Sequence, residues 1–509
     1  MKIGRLKTIF FLLVGIELLM TPGSIHAQTI RWVRCFGGSL IDECYDIQQT
    51  SDGGYIMAGV TESIDGDVTG NHGGKDYWIV KTDDWGNLQW QKCYGGTSDD
   101  IATSIRQTND GNFIVAGYSN SGDGDVTINH GGSDFWVIKI DAVGNLIWEK
   151  SLGGSSTETD CKVRLSNDET FIIAGNSDSD DGDVSGNHGL TDYWIVKIDS
   201  AGTIIWQRAA GGSASDQLKG VSATADHGAI VCGISESSDG DVPPFCYTNY
   251  CSWIVKLDST GSIQWQQMDS VFNGGITVSD VLQMSSGNFL SSGSMYNYGN
   301  HHNFAVLQLN SSGSIIQRSS FTGNDFDFSN SIASTPNHGG YIMAGYTLWP
   351  TNSFFVLKTA GISTQWTIFT NQTLPSVSWT AAETIDGGFI FNTNYFQDSS
   401  ANCFSPLLDF NYYLIKIDGA LADVPEHAGI TGINASVDNS FLSVQWNTYQ
   451  TCRLEIKLSD ISRRTLYKDE IESSSGMNRI KLNVVDLAQG IYFISLRGSM
   501  ISETIKFIK

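Results

Sequence analysis

Proline is scarce in this chain, at 8 of 509 residues, and basic residues are few, with 30 Lys and Arg against 54 Asp and Glu. A phosphate backbone is held by a basic surface, so a net charge of -24 excludes nonspecific nucleic-acid binding. Charged residues make up only 17% of the chain and aromatics 11%, which excludes an acidic disordered chain. No Cys-x-x-Cys occurs, so redox and zinc-ribbon sites have no support. Sustained helical periodicity is missing as well. Glycine, at 55 residues, is abundant, as many short strands joined by turns require.

The one long apolar run, Ile9 to Met20, follows Lys2, Arg5 and Lys7 and precedes Ser24-Ile25-His26-Ala27. That is the pattern of a secretory signal peptide over residues 1–27, with the mature chain starting at Gln28. The run is too short for a membrane span and no stop-transfer segment follows, so the mature chain is expected to have no transmembrane segment.

Self-comparison exposes a repeat. KDYWIVKTD, SDFWVIKID, TDYWIVKID and CSWIVKLD place Trp78, Trp136, Trp194 and Trp253 in register, 58, 58 and 59 residues apart. Weaker copies surround Ala305, Phe355 and Tyr413, making seven. Within Ile101 to Lys150, four short strands rich in β-branched and aromatic residues alternate with Gly, Asn and Asp turns. Four antiparallel strands per unit describe a propeller blade. Tyr412 to Lys416 is a third strand without a fourth after it, and IRWVRCF lies before any first strand. The N-terminal strand is therefore expected to complete the last blade and close the ring. The expectation is an all-β fold: a seven-bladed β-propeller over 28–420, a linker over 421–434 and a small β-sandwich over 435–509. An open β-solenoid would not need the exchanged strand. Recurrence at one strand position marks the Trp residues as inter-blade packing rather than a sugar-stacking set.

Candidate chemistry gathers in the loops between second and third strands. Carboxylates clustered around a tight Gly turn suit a hard cation, so Asp65, Asp67, Asp123, Asp125, Asp178, Asp180, Asp181, Asp183, Asp239 and Asp241 are candidate Ca²⁺ ligands. The same Asp-Gly pairs can cap turns without metal. His72, His130 and His188 recur in Asn-His-Gly on three separate blades, which fits loop capping rather than one zinc site. Cys246 and Cys251 are candidates for a loop disulfide, Cys35 and Cys44 for a second, and Cys232 for a buried strand residue. The places where the repeat loses its symmetry are the fourth blade's loop and blades five to seven, including His301-His302.

From Ala435 onward ten Lys and Arg face eight Asp and Glu, whereas residues 28–434 carry 17 against 45, which marks a domain boundary. LEIKLSDISRRTL, VDLAQGIYFI and the terminal KFIK resemble the C-terminal sorting domain of the type IX secretion system of Bacteroidota. The usual Tyr-Pro-Asn-Pro opening is missing. The resemblance implies transit through the periplasm, contact with the type IX machinery, and release or attachment at the cell surface. The propeller lacks the Trp-Asp signature of WD repeats and resembles repeat bodies found beside such tails. The expected role is a non-enzymatic module binding a glycan, protein or surface polymer. A polysaccharide hydrolase or lyase using carboxylates of the Asp-rich face, and a structural spacer, are the alternatives.

Overall fold

The computed structural model describes residues 30–244, 250–270, 275–297, 301–321, 327–347, 353–360, 363–369, 377–393 and 411–417, then 430–438, 441–448, 452–460, 464–473, 476–485, 487–488, 491–497 and 502–508. The signal-peptide reading of residues 1–27 lies outside them. Two compact units are present, Met1–Ala420 and Leu421–Lys509.

Every regular element among the described residues is a strand. The first unit consists of four-stranded antiparallel sheets in sequence order, and each is called a blade below. Among the described residues there are seven such sheets. Blade one runs Asp42–Gln49, Tyr55–Thr61, Asp76–Thr82 and Leu88–Tyr94. The last blade pairs Ala381–Glu383, Phe389–Thr393 and Tyr412–Ile417, and its fourth strand is the N-terminal Ile30–Phe36. This is the ring closure that the unpaired third strand called for. A propeller of this kind leaves no open ladder on the closing blade.

The fold follows from where each strand's apolar residues must go. Second and third strands are buried on both faces, because every blade is sandwiched between two others. Trp78, Trp136, Trp194 and Trp253 are completely buried. Each packs on an aromatic ring of a neighbouring blade, as Trp136 does on Tyr77 at 4.6 Å and Trp194 on Phe135 at 4.9 Å. The closing blade does the same through Tyr412 on Trp78 at 4.4 Å. Each indole N–H is satisfied by the adjacent fourth strand, for example Trp78 to Gln91 at 2.8 Å. These indoles serve inter-blade packing, as their recurrence implied.

A second repeated device was not read from the sequence. The third-strand lysines Lys81, Lys139, Lys197 and Lys256 are buried and clamp Asp52, Asp110, Asp168 and Asp226 in the first turn of their own blade, at 2.8–2.9 Å. In blade five Gln308 replaces the lysine and Ser286 replaces the aspartate, so both partners are lost together.

The second unit is a two-sheet sandwich. Ile430–Asp438, Phe441–Thr448 and Gly476–Asn483 form one sheet, and Thr465–Ser473, Cys452–Asp460, Ile491–Arg497 and Ser502–Ile508 the other. Leu442, Val444, Leu454, Ile456, Ile494 and Leu496 form the core between them. The strand from Ile430 begins within the segment read as a linker.

Candidate functional site

The Asp-Gly loops are straps between blades. In blade two, Asp123 Oδ1 accepts the Thr97 amide at 2.8 Å and its Oδ2 accepts the Thr97 hydroxyl at 2.9 Å. Asp65, Asp181 and Asp239 likewise take the amides of Ser39, Ser155 and Ser213 at 2.6–2.8 Å. Those amides hold the Asp123, Asp181 and Asp239 carboxyls below the usual carboxylate range. The second aspartates, Asp67, Asp125 and Asp183, face the amides of Gly37, Gly95 and Gly153 at 3.3–3.4 Å. Asp241 pairs with Arg208 at 2.8 Å. Asp178 accepts the Thr191 hydroxyl at 2.7 Å, and Asp180 the Gly186 amide at 3.0 Å. The carboxylates are spread along the straps, and no group of three His, Cys, Asp or Glu among the described residues is arranged to hold an ion.

The histidines cap the same loops. His72, His130 and His188 lie 2.6, 2.7 and 2.9 Å from Asp76, Asp134 and Asp192. Burial pushes the Asp76 and Asp192 carboxyls up to about 6 against these bonds. Cys35 is disulfide-bonded, whereas Cys44 keeps a free, completely buried thiol, so the expected Cys35–Cys44 pair does not form. Cys44 points into the packed interface between the first and last blades, away from its expected partner. Cys251 is disulfide-bonded, and Cys246 lies outside the described residues. Cys232 is buried and free.

The asymmetric site is the central channel. First strands line it, and in blades one to six each has a register shift at the same level, as between Cys44 and Asp46 and between Ala102 and Ser104. A bulge aims an extra side chain inward and frees an amide from its ladder. Neighbouring blades take up the freed groups. Asp46 Oδ2 accepts the Ile105 amide at 3.0 Å, Asp280 Oδ2 the Ile332 amide at 3.2 Å, and Asn176 Oδ1 the Leu218 amide at 2.6 Å.

Inside this ring lies a cavity of about 700 Å³. Lys162, Arg164 and Lys219 from blades three and four stand on one side. Tyr45, Trp379, Phe328 and Tyr346 supply aromatic surface on the side of blades one, six and seven. Tyr45 meets Trp379 edge-on at 5.3 Å, and Phe328 stacks on Tyr346 at 5.2 Å. His302, from the segment singled out as a break in the repeat, stacks on Phe328 at 5.2 Å and lines the cavity. Burial, reinforced by Arg106, pushes the Arg164 guanidinium down to about 10, with Asp280 and Asp46 opposing. The Lys162 ammonium is lowered first by burial, with Asp280 opposing.

Sequence reasoning concentrated on loops and missed this channel. Its signal was present in the first strands. DECYDIQQ, DIATSIRQ, ETDCKVRL and DQLKGVSA differ at their inward positions, while second strands such as YIMAGVT, FIVAGYS and FIIAGNS repeat closely.

Residues 438–509 match the family described as the secretion system C-terminal sorting domain. Fold and tail together define a propeller exported by the type IX secretion system to the cell surface or extracellular space, with the tail as its contact to that machinery. No curated protein matches the chain. Among solved structures it is similar to the Pan2 WD40 domain of Neurospora crassa, at 11% identity over 59% of this chain and 85% of that one, TM-score 0.34. It is also similar to the periplasmic gluconolactonase PpgL of Pseudomonas aeruginosa, at 11% identity over 72% and 99%, TM-score 0.35. A Dyadobacter fermentans protein of unknown function shares 10% identity over 68% and 99%, TM-score 0.36. Likenesses this distant carry nothing about ligand or activity. Among the described residues no helix is long and apolar enough to cross a membrane.

Proposed function

We propose that the chain is a non-catalytic binding propeller of a Bacteroidota cell surface, led into the periplasm by residues 1–27 and displayed or released through its sorting domain. Its ligand is a glycan, protein or surface polymer, and it is received in the central channel. The observation carrying this reading is the asymmetry of the channel: scaffold residues repeat from blade to blade, while the residues lining the 700 Å³ cavity do not. Ligand sites are typically concave, of about 300–1,000 Å³, with a few convergent polar groups on an apolar wall.

A hydrolase or lyase on the Asp-rich face is less well supported, because its carboxylates already accept strap amides. Ca²⁺ in these loops would have to compete with the same amides. A glycan array run beside a hydrolase and lyase panel on the full chain, each with EDTA and with millimolar Ca²⁺, separates these readings. Retention of a glycan without turnover, equal in both buffers, is expected. Product release would establish the enzyme, Ca²⁺-dependent retention would restore the ion, and no retention or turnover would leave the spacer.

A further inference from the structure

The channel holds cations that none of its own carboxylates pairs with directly. Three lining carboxylates face them, and each has a task in the scaffold. Asp46 binds Arg106 and the Ile105 amide, Asp280 accepts the Val281 and Ile332 amides at 3.0 and 3.2 Å, and Asp160 accepts Asn176 at 3.0 Å. The cations make neutral contacts instead. Lys162 Nζ donates to the Lys219 carbonyl at 2.5 Å. Arg164 donates to the Val163 carbonyl at 2.9 Å and to Ser104 Oγ at 3.2 Å. Among the described residues no carboxylate comes within 4.0 Å of Lys162, Arg164 or Lys219 as an ion-pair partner.

A cation sequestered without a directly bonded counter-ion is costly, and a bound anion offsets that cost through charge-assisted hydrogen bonds. In a chain of net charge -24 this lining is also locally balanced, with three cations to three carboxylates. The opposite wall offers flat aromatic surface, and Thr103, Ser279, Ser329, Asn330 and Ser331 add hydroxyls and an amide. Ser329 is 3% exposed, and its hydroxyl has no hydrogen-bond partner in the protein. Hydroxyl-bearing rings with an acidic substituent complement all three surfaces.

We propose that the central channel binds an acidic sugar, with its anionic group between Lys162 and Arg164 and its ring against the Tyr45, Trp379, Phe328 and Tyr346 wall. This rests on the channel-binding reading above and names its ligand class. Galacturonate disaccharide, a sulfated disaccharide and a neutral disaccharide of equal size are titrated calorimetrically into the full chain. At least one acidic probe is expected to bind at least tenfold tighter than the neutral one, and its affinity to fall as NaCl rises. The preferred probe identifies the anion as carboxylate or sulfate. Arg164→Gln and Lys162→Gln are each expected to weaken acidic binding at least tenfold at an unchanged Tm, while Lys162→Arg retains most of it. Where a Gln variant fails to fold, the salt dependence of the unmodified chain still decides. Equal binding of neutral and acidic probes overturns the acidic class and leaves channel binding standing. Acidic binding undiminished in both folded Gln variants overturns the seat, and with it the channel reading. Failure of all three probes to bind counts against both.

Discussion

Carboxylates in this chain do opposite things according to what surrounds them. Asp42, Asp76 and Asp192 are buried at strand starts, where loss of hydration drives their carboxyls from 3.8 up to about 6. Asp386 is also desolvated, but bonds from Thr384 and Lys416 win and hold it at about 2. Asp52 is lowered in the same way by bonds from Thr50 and its clamping Lys81, and Asp226 by bonds from Lys256 and Thr224. The signs set a pH profile. A carboxyl raised in the folded state adds stability as pH falls from about 6 toward 3.8, and one that is lowered loses its contribution below 3.8. Stability to urea is therefore expected to rise from pH 7 to about pH 5 and to fall below about pH 4. Asp76→Asn is expected to flatten the upper limb by up to about 2 kcal/mol. A monotonic loss of stability from pH 7 downward would refute the assignment. Asn411 already stands at the equivalent position of the closing blade, so the site accepts an amide.

The element that most shapes the rim is the Asp-Gly strap. Its glycine adopts a left-handed backbone, φ +67° at Gly124, and a Cβ there would stand 2.3 Å from the Gly95 carbonyl. The strap's Asp125 amide donates to that same carbonyl at 2.9 Å. Gly124→Ala is expected to cost about 1–3 kcal/mol more unfolding free energy, measured by denaturant titration, than a Gly111→Ala control that carries the same left-handed strain. The control also has a positive φ, +81°, but nothing lies within 4 Å of its Cβ position, so the difference isolates the blade-to-blade contact. Strand identity, turn chemistry and the strap glycine were all legible in the repeated motif. The lysine clamp was equally legible, since Lys and turn Asp recur together and are both lost in blade five, while blade six keeps Lys358 without the aspartate and its ammonium donates to the Gly339 carbonyl at 2.6 Å.

At the scale of the whole molecule, closure rests on seven residues from the far end of the chain. Ile30–Phe36 pairs with Tyr412–Ile417, and Trp32 packs edge-on against Tyr55 at 5.7 Å. A chain starting at Gly38 exposes that ladder as a free edge. Size-exclusion chromatography with light scattering is expected to show self-association of the shortened chain at concentrations where the full chain is monodisperse. Identical elution of the two would argue against the closing role.

By itself the amino-acid sequence determined the strands, their grouping into blades, the exchanged N-terminal strand and the export tail. Each of these is written in local period, turn residues or a contiguous motif. Only the tertiary structure decided that the loop aspartates serve as straps, because an Asp-Gly turn has the same local pattern whether its carboxylate meets an amide or an ion. It alone assembled the channel. Lys162 and Arg164 lie far from Trp379 along the chain, and only closing the ring brings the first strands of blades one to six and the Trp379–Thr380 lead-in of the last blade around one cavity.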